Sequence, residues 1–336
     1  MPRKPLIAIT MGDPAGIGPE VVLKAIAAPE VLAACRPVVI AHHAALELAA
    51  NQLGLAADWV TVPDLSTLDP DAPVQVCDLG GAPLEQLFGC RPTPQGGTAS
   101  LAYIQAAALA AQAGHVDAIA TAPIHKQAIA MAGCRFTGHT DFLADLCATP
   151  HVVMMLAGGP LRVALVTTHI RLSDVPDAIS TEGIVATARI TADSLHRFFG
   201  LSTPRLAICG LNPHASDGSR FGDEELRIIE PAIVQLRHAG THATGPIPPD
   251  TCFVRAATGE FDAVVAMYHD QGLIPLKLLA FDNAVNITLA LPIIRTSVDH
   301  GTAYDIAGKG VASPNSMIAA VTLAATMSKA SGLAHP

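Results

Sequence analysis

The chain has 336 residues, of which 50% are hydrophobic and 15% are charged, and its formal net charge is −9. This composition excludes a disordered chain and predicts a large buried core, and at about 150 residues per domain the length predicts two domains. The acidic balance argues against nucleic acid or an anionic membrane as a partner, because both require a basic surface. No apolar run approaches the ~18 residues that span a bilayer, so we expect no membrane segment.

The chain contains seven cysteines, an odd number, scattered without a CxxC pair. This pattern argues against a disulfide framework and favours free thiols in a reducing compartment. The apolar run near the N-terminus is too short for the hydrophobic region of a signal peptide. We therefore expect a cytoplasmic protein.

Short apolar runs alternate with longer alanine-rich segments, which is typical of a mainly parallel sheet covered by helices. Runs without polar alternation indicate strands that are buried on both faces, so the predicted fold class is α/β. The predicted strands are Leu6–Thr10, Pro37–Ala41, Ala118–Thr121, Val152–Leu156, Arg162–Thr167, Arg205–Cys209, Ala263–Met267 and Ala284–Thr288. The predicted helices are Ala99–Ala113, Ser180–Phe199 and Glu224–Ala239.

Three histidines, His169, His214 and His269, each follow an apolar strand-like run. Because the carboxyl ends of parallel strands lie along one edge of a sheet, the three side chains can converge there. Three neutral imidazoles with an open coordination position suit a catalytic zinc or a similar divalent ion. The alternative is that each histidine only caps a strand or bonds a loop carbonyl.

A second group of polar and cationic residues indicates an anion-binding site. It includes the segments TAPIHK at 121–126 and FTGHTD at 136–141, followed downstream by Lys277, Asn286 and Arg295. Arginine can grasp a carboxylate or phosphate with two hydrogen bonds, and lysine contacts it as a point charge. As a set these residues predict a small, doubly anionic substrate, although each of them alone could be a solvated side chain.

Two glycine-rich segments lie near the ends of the chain. GDPAGIGPE at 12–20 follows a predicted strand, and DHGTAYDIAGKG spans 299–310. The first segment has the spacing of neither a Rossmann nor a P-loop motif, and spacing alone does not identify a ligand for the second. Glycines would allow backbone amides to approach a ligand, and Asp305 could face a ribose hydroxyl; a tight turn or a helix-entry loop is the alternative.

Seven motifs of the chain resemble, in order, those of the 4-hydroxythreonine-4-phosphate dehydrogenase (PdxA-like) family of vitamin B6 synthesis. They are TMGDPAGIGPE, TAPIHK, FTGHTDF, TTHIRL, GLNPHA, AMYHDQG and IRTSVDHGTAYDIAGKG. The first and last are also similar to loops of isopropylmalate and isocitrate dehydrogenases. The resemblance implies two α/β/α domains with an active-site cleft between them. It places a dinucleotide-side domain at 1–130 plus 285–336, and a metal, substrate and dimerisation domain at 131–284.

The resemblance also implies roles for individual residues. The metal ligands would be His169, His214 and His269, for one Zn²⁺, Mg²⁺ or Co²⁺ per site, and the metal site would be completed across a homodimer interface. Lys277 would be both catalytic and substrate-binding, and Asp250 or a metal-bound water would accept the proton. The remaining substrate contacts would be His139, Thr140, Asn286 and Arg295, and the cofactor contacts would be His300, Gly301, Thr302 and Asp305.

The sequence departs from the family pattern at two places near the expected site. Ala122 stands where glycine is usual before a proline, and Ser216-Asp217 stands where Gly-Glu is usual after His214. Neither change removes an expected ligand. Both bear on which substrate of the family the chain accepts.

The function that the resemblance implies is NAD- or NADP-dependent oxidation of 4-phosphooxy-L-threonine at C3. The product would be 2-amino-3-oxo-4-phosphooxybutanoate, which decarboxylates to 3-amino-2-oxopropyl phosphate on the way to pyridoxal 5'-phosphate. Within the same family, 4-phospho-D-threonate, 4-phospho-D-erythronate or a dihydrodiol carboxylate are alternative substrates. Outside it, the alternatives are a metal-dependent hydrolase or lyase and a metabolite-binding protein.

Overall fold

The computed structural model describes residues 3–55, 58–69, 71–136 and 138–332, and within them it contains twelve strands and thirteen α-helices. The strands are β1 (Leu6–Thr10), β2 (Arg36–Ala41), β3 (Val60–Val62), β4 (Gln75–Asp78), β5 (Ala118–Thr121), β6 (Val153–Gly158), β7 (Leu161–Leu165), β8 (Arg205–Cys209), β9 (His242–Ile247), β10 (Ala263–Ala266), β11 (Val285–Leu289) and β12 (Arg295–Val298). The first helices are α1 (Gly18–Ile26), α2 (Pro29–Ala34), α3 (His43–Leu53), α4 (Leu84–Leu87), α5 (Pro94–Gln112), α6 (Lys126–Met131) and α7 (His139–Leu146). The others are α8 (Val175–Ala178), α9 (Thr181–Phe199), α10 (Glu230–His238), α11 (Pro249–Ala257), α12 (His269–Ala280) and α13 (Asn315–Ala330).

The chain divides into two compact units. The first ends at His151 and resumes at Leu291, and the second is Val152–Ala290. These limits differ from the predicted boundaries after residues 130 and 284. Helix α7 packs against α5, which keeps 131–151 in the first unit, and β11 pairs with β6, which keeps 285–290 in the second.

The first unit is built on parallel strands in the order β3-β4-β2-β1-β5-β12. Every residue of β1 and β5 is buried, as their uninterrupted apolar sequences predict. Helix α5 packs against β1, β2 and β5, while α13 packs against β1, β5 and β12. The strand that completes this part of the sheet therefore comes from the end of the chain.

The second unit has strands in the order β11-β6-β7-β10-β8-β9. Strand β6 runs antiparallel to β11 and β7, and the other neighbours are parallel. Alternate residues of β8 and β10 enter two separate apolar clusters, one with α11 and α12 and the other with α9 and α10. Since alternate strand residues point to opposite faces, the sheet of this unit is covered by helices on both sides. The predicted α/β fold class is confirmed.

Helix α9 shows how local sequence sets the limits of an element. Its N-cap Ser180 accepts a 3.0 Å hydrogen bond from the backbone amide of Gly183, and the helix ends at Gly200, whose φ is +68°. A serine N-cap and a left-handed glycine are the usual signals for the two ends of a helix. In the part of the chain that the structure describes, no helix combines the length and the apolarity needed to cross a bilayer.

Candidate active site

His169 and His269 lie next to each other in the second unit. Their ring centroids are 5.7 Å apart. His169 follows the end of β7, and His269 begins α12 just after β10; β7 and β10 are hydrogen-bonded neighbours, so their carboxyl ends meet. The sequence argument that separate strands bring histidines to one sheet edge therefore holds for this pair.

The carboxylate of Asp270 lies 2.7 Å from Nδ1 of His269. A carboxylate that accepts the Nδ1 proton leaves Nε2 of the same ring with its lone pair available, which is how acidic neighbours orient metal-binding histidines. This contact suits His269 to bind a cation through Nε2.

His214 lies on the loop that follows β8. Its side chain is exposed, and its ring centroid is 6.4 Å from that of Phe221. Its backbone is left-handed, with φ of +54°. Among the residues that the structure describes, no three or more His, Cys, Asp or Glu side chains are arranged to hold a metal ion. One chain thus brings together two of the three predicted ligands, and these two neighbouring imidazoles are chemically suited to zinc, cobalt or a similar divalent ion.

Arg295 forms the centre of a buried cationic site in the first unit. It begins β12, its side chain is almost fully buried, and its Nη2 and Nε atoms donate to Oγ1 of Thr121 at 2.9 and 3.2 Å. Burial lowers the pKa of this guanidinium to about 9. Such a cation in an apolar setting is suited to an anionic ligand, because a carboxylate or phosphate would offset the cost of its burial.

His139 belongs to the same site. Burial lowers its pKa well below the ordinary value, and the positive charge of Arg295 lowers it further, so the imidazole is neutral. Its Nε2 atom is buried without a hydrogen-bond partner, although the residue as a whole is half-buried. An unpartnered nitrogen beside a buried guanidinium is a position where a ligand oxygen can bind. Thr140 follows in the first turn of α7, also half-buried.

The remaining predicted substrate and catalytic residues lie in the second unit. Asn286 is on β11, and its Oδ1 atom is buried without a hydrogen-bond partner. Lys277 is half-buried in the last turn of α12, and Asp250 is exposed in the first turn of α11. The predicted set is therefore divided between the units: His139, Thr140 and Arg295 belong to the first, and Asp250, Lys277 and Asn286 to the second.

The two glycine-rich segments interlock in the first unit. The amide of Ile17 donates to the carbonyl of Thr302 at 2.9 Å, and a Cβ on Gly16 would come within 2.8 Å of the Thr302 side chain. The hydroxyl of Tyr304 donates to the buried Asp13 carboxylate at 2.6 Å. These contacts explain why a residue without a side chain is needed at position 16.

A cavity of about 560 Å³ opens beside these segments. Its lining includes Ala15 and Gly16 of the first segment, Ala307 and Gly308 of the second, and Ala49, Gln52 and Leu53 of α3. Asp305 is exposed on the second segment and is not among the described residues that line the cavity. Nδ1 of His300 lies 3.0 Å from the carbonyl of Gly301, and its Nε2 atom is buried without a partner. Thr302 is buried, and its side chain is hydrogen-bonded to that of Tyr304.

Some site residues had no individual role among the sequence-based predictions. The Thr121 hydroxyl accepts hydrogen bonds from Arg295. Asp13 and Tyr304 join the glycine-rich segments, and residues of α3 line the cavity. A threonine at the end of an apolar strand gives no recognisable signal for a cation contact. The tie between Asp13 and Tyr304 spans 291 residues and becomes visible only in the folded chain.

Comparison with known proteins identifies the family. The family model described as pyridoxal phosphate biosynthetic protein PdxA matches residues 33–324. The chain belongs to the PdxA family. It is 50% identical over 326 residues to a 4-hydroxythreonine-4-phosphate dehydrogenase of Desulfosudis oleivorans, covering 96% of each chain.

Other PdxA relatives support the same assignment. The crystal structure of the 4-hydroxythreonine-4-phosphate dehydrogenase from Klebsiella pneumoniae matches with a TM-score of 0.89 at 39% identity, covering 97% of this chain and 100% of that one. A D-threonate 4-phosphate dehydrogenase of Cupriavidus necator is 44% identical over 321 residues, or 94% of this chain and 95% of its own. The predicted family is confirmed, and this PdxA chain is an oxidoreductase of the dehydrogenase type.

Proposed function

We propose that this PdxA-family chain oxidises 4-phosphooxy-L-threonine at C3 with NAD or NADP. The product, 2-amino-3-oxo-4-phosphooxybutanoate, then decarboxylates to 3-amino-2-oxopropyl phosphate in the formation of pyridoxal 5'-phosphate. The observation that carries the proposal is the buried Arg295 guanidinium beside the neutral His139 imidazole. Together they form a site for an anionic group of a small substrate, in a chain whose relatives include dehydrogenases named for phosphorylated hydroxy acids.

The proposed roles of the residues follow from their chemistry. Arg295 binds phosphate or carboxylate, and His139, which stays neutral, donates or accepts a hydrogen bond without adding charge. Thr140, Lys277 and Asn286 complete the contacts to the substrate and fix its orientation, which is worth much of the rate in a reaction between bound groups. Lys277 also adds positive charge near the reacting centre. Asp250 accepts the hydroxyl proton directly or through water.

His169, His214 and His269 are the residues that would hold one divalent ion, Zn²⁺, Mg²⁺ or Co²⁺. When bound, such an ion supplies Lewis-acid chemistry that lowers the pKa of a substrate alcohol. The nicotinamide supplies the acceptor for the hydride from C3. The chain's own contribution is to align the C3 hydrogen with that acceptor and to take up the proton.

The cavity of the first unit is the proposed site for the adenosine end of the dinucleotide. Glycine and alanine residues of both glycine-rich segments line it, so a flat ring could lie close to the backbone. His300, Gly301, Thr302 and Asp305 extend this site along the second segment. The first unit is therefore the dinucleotide side, and the second is the metal and dimerisation side.

We also propose that the enzyme is a cytoplasmic homodimer that pairs through helix α12. Ile274, Leu278 and Phe281 are 59%, 81% and 74% exposed, and their spacing places them on one stripe of the helix. A contiguous exposed apolar stripe is typical of a subunit contact. A second copy would also supply the metal ligand that one chain does not bring to the His169–His269 pair.

A substrate panel tests the function. Purified protein with added divalent metal is mixed with NAD or NADP and with 4-phosphooxy-L-threonine, 4-phospho-D-threonate or 4-phospho-D-erythronate. We expect reduced nicotinamide to form fastest with 4-phosphooxy-L-threonine. Absence of reduced nicotinamide with every substrate would contradict the dehydrogenase proposal and favour a hydrolase, a lyase or a binding protein.

The second candidate function is oxidation of 4-phospho-D-threonate. The relative from Cupriavidus necator named for D-threonate 4-phosphate is 44% identical to this chain. The Ser216-Asp217 pair also stands in the His214 loop where Gly-Glu is usual in the family. A higher kcat/KM with 4-phospho-D-threonate than with 4-phosphooxy-L-threonine would establish this alternative.

A further inference from the structure

The loop that carries His214 has an unusual backbone. Six consecutive residues adopt positive φ angles, and only one of them is glycine. They are His214 (+54°), Ala215 (+51°), Ser216 (+68°), Asp217 (+44°), Gly218 (+67°) and Ser219 (+68°). L-residues rarely occupy this region, and a run of them persists only where surrounding contacts fix it.

The contacts that fix the loop converge on one carboxylate, that of Glu225. Its Oε1 atom accepts from the backbone amides of Leu211 and Asn212 at 2.7 and 2.8 Å. Its Oε2 atom accepts from Nδ2 of Asn212 at 2.9 Å and from the hydroxyl of Ser216. Glu225 is only 2% exposed. All four partners are donors, so the site requires an ionised carboxylate, which is an acceptor at both oxygens.

The position of Glu225 in its own helix supports this role. A single π-helical turn, Glu225–Ile229, precedes α10, and Glu225 is its first residue. An extra residue in a helical turn shifts the side chains relative to the preceding turn, and π turns frequently occur at functional sites. Here the turn directs a carboxylate toward the His214 loop.

The base of the loop is tied to the strand that precedes His269. Nε2 of Gln271 donates to the carbonyl of Gly210 at 2.8 Å, and its Oε1 atom accepts from the backbone amide of Met267 at 2.7 Å. One buried side chain thus bonds the loops after β8 and β10. The loop is held before His214 by Gln271 and Glu225, and after His214 by Glu225 through Ser216.

We propose that Glu225 is a positioning residue that holds His214 in the orientation needed to bind the divalent metal. The inference rests on the proposed function, since that function assigns His214 as a ligand. Glu225 does not itself contact the metal. It acts through the backbone before His214 and through Ser216 after it, so its loss lets the loop leave the left-handed conformation and redirects the imidazole.

Ser216 contributes directly to this arrangement. It occupies a left-handed position, with φ of +68°, and its hydroxyl bonds Glu225. The hydroxyl would offset the strain that a Cβ introduces there. We expect Ser216→Gly to keep the loop, because glycine tolerates the φ angle, whereas Ser216→Ala retains the strain and loses the bond.

Co²⁺ binding to the full-length protein tests the proposal. Calorimetry and the visible spectrum of the ion measure the binding. We expect Glu225→Gln to weaken Co²⁺ binding by about 10- to 100-fold, the usual effect of removing a group that orients a ligand. Glu230→Gln is the matched control, because it makes the same change at an exposed position five residues along and should leave the Kd unchanged. Ser216→Ala should weaken binding more than Ser216→Gly, and this pair tests the proposal even if Glu225→Gln does not fold.

A double-mutant cycle separates positioning from general stability. If Glu225 acts through His214, Glu225→Gln causes no further loss of Co²⁺ affinity when His214 is already alanine. Equal losses in both backgrounds, or unchanged Co²⁺ binding in Glu225→Gln and Ser216→Ala, would overturn the inference while leaving the proposed function standing. A wild-type protein that binds none of Co²⁺, Zn²⁺ and Mg²⁺ would overturn both.

Discussion

The hydroxyl of Tyr304 donates a 2.6 Å hydrogen bond to the Oδ2 atom of Asp13. The Asp13 carboxylate is fully buried, and its Oδ1 atom accepts from the amide of Ala15 at 2.9 Å. Burial raises the pKa of Asp13, and the bonds from Tyr304 and Ala15 act in the opposite direction. Together with the hydrogen bond from Ile17 to Thr302, this contact joins the glycine-rich segment near the start of the chain to the segment near its end.

Replacing Tyr304 by phenylalanine tests that contact. The change leaves a buried carboxylate oxygen without this donor, so we expect the free energy of unfolding to fall by about 1–2 kcal/mol. Chemical denaturation measures the loss, and Tyr268→Phe is the control for removing a tyrosine hydroxyl elsewhere. An unchanged unfolding free energy in Tyr304→Phe would show that the bond is not needed to hold the segments together.

The neutral His139 predicts a pH dependence of stability. Its pKa in the folded state lies well below 6.5, so the unfolded chain takes up a proton there before the folded chain does. The unfolded state then binds more protons, and stability falls as the pH decreases through about 6.5, with a slope of up to about 1.4 kcal/mol per pH unit.

We therefore expect His139→Gln to lose less stability than the wild type between about pH 7 and about pH 5. Unfolding curves at several pH values measure the difference. His242→Gln, at an exposed histidine, should keep the wild-type slope. If His139→Gln also keeps that slope, then His139 titrates normally in the folded protein.

Replacing His214 by alanine tests the metal assignment. Because the side chain is exposed, we expect the unfolding free energy to change by no more than about 0.5 kcal/mol. Because a ligand is lost, we expect kcat/KM to fall by about three orders of magnitude or more. Metal content and turnover of the purified variant are the measurements, and stoichiometric metal with a near-normal rate would contradict the assignment.

The cavity beside the glycine-rich segments predicts a selective effect on the dinucleotide. Gln52 is an exposed residue of its lining, so Gln52→Trp would fill the cavity without disturbing the core. We expect the KM for NAD or NADP to rise about tenfold, which corresponds to ~1.4 kcal/mol, with little change in the KM for the hydroxy acid.

Asp305→Ala is the companion variant. If the Asp305 carboxylate contacts a ribose hydroxyl, Asp305→Ala also raises the KM for the dinucleotide more than the KM for the hydroxy acid. Equal effects on both substrates would make the role of Asp305 structural. A rise with Gln52→Trp and none with Asp305→Ala would confine the cofactor site to the cavity.

The stripe on α12 predicts where a dimer can be disrupted. Leu278 is the most exposed large apolar residue of that helix, and Leu278→Glu would place an unpaired charge in the contact. We expect a cost of about 3 kcal/mol and a shift from dimer to monomer in sedimentation. Val311→Glu, a similar change at an exposed site of the first unit, should leave the assembly intact. A Leu278→Glu dimer of wild-type stability would exclude this face.

The apolar strands could be predicted because their uninterrupted apolar sequences indicate burial. The predicted limits of β1, β5 and β8 match the structure residue for residue. Strand β12 was missed because Arg-Thr-Ser-Val carries three polar side chains, although all four residues are buried. Strand β9 was missed because it contains Gly245 and Pro246, which usually interrupt strands. These strands form because they pair with adjacent strands of the sheet, and the local sequence pattern does not indicate that pairing.

The site shows the same division between local and tertiary causes. His169 and His269 each follow an apolar strand, and this position predicted that they lie close together. They do, because β7 and β10 pair directly. The conformation around His214 could not be predicted, because histidine, alanine, serine and aspartate have no shared preference for positive φ. It depends on Glu225, which the sequence places inside a predicted helix.

The division of the chain into units has a consequence for its synthesis. The second unit is one continuous segment, Val152–Ala290, whereas the first needs β12 and α13 from beyond Leu291 to cover β5 and β1. On the ribosome, the inserted unit can therefore finish folding while the one that began earlier still waits for its last strand and helix. During that interval the edge of β5 lacks its β12 partner, so a translational pause before residue 295 would prolong the exposure of an unpaired strand edge.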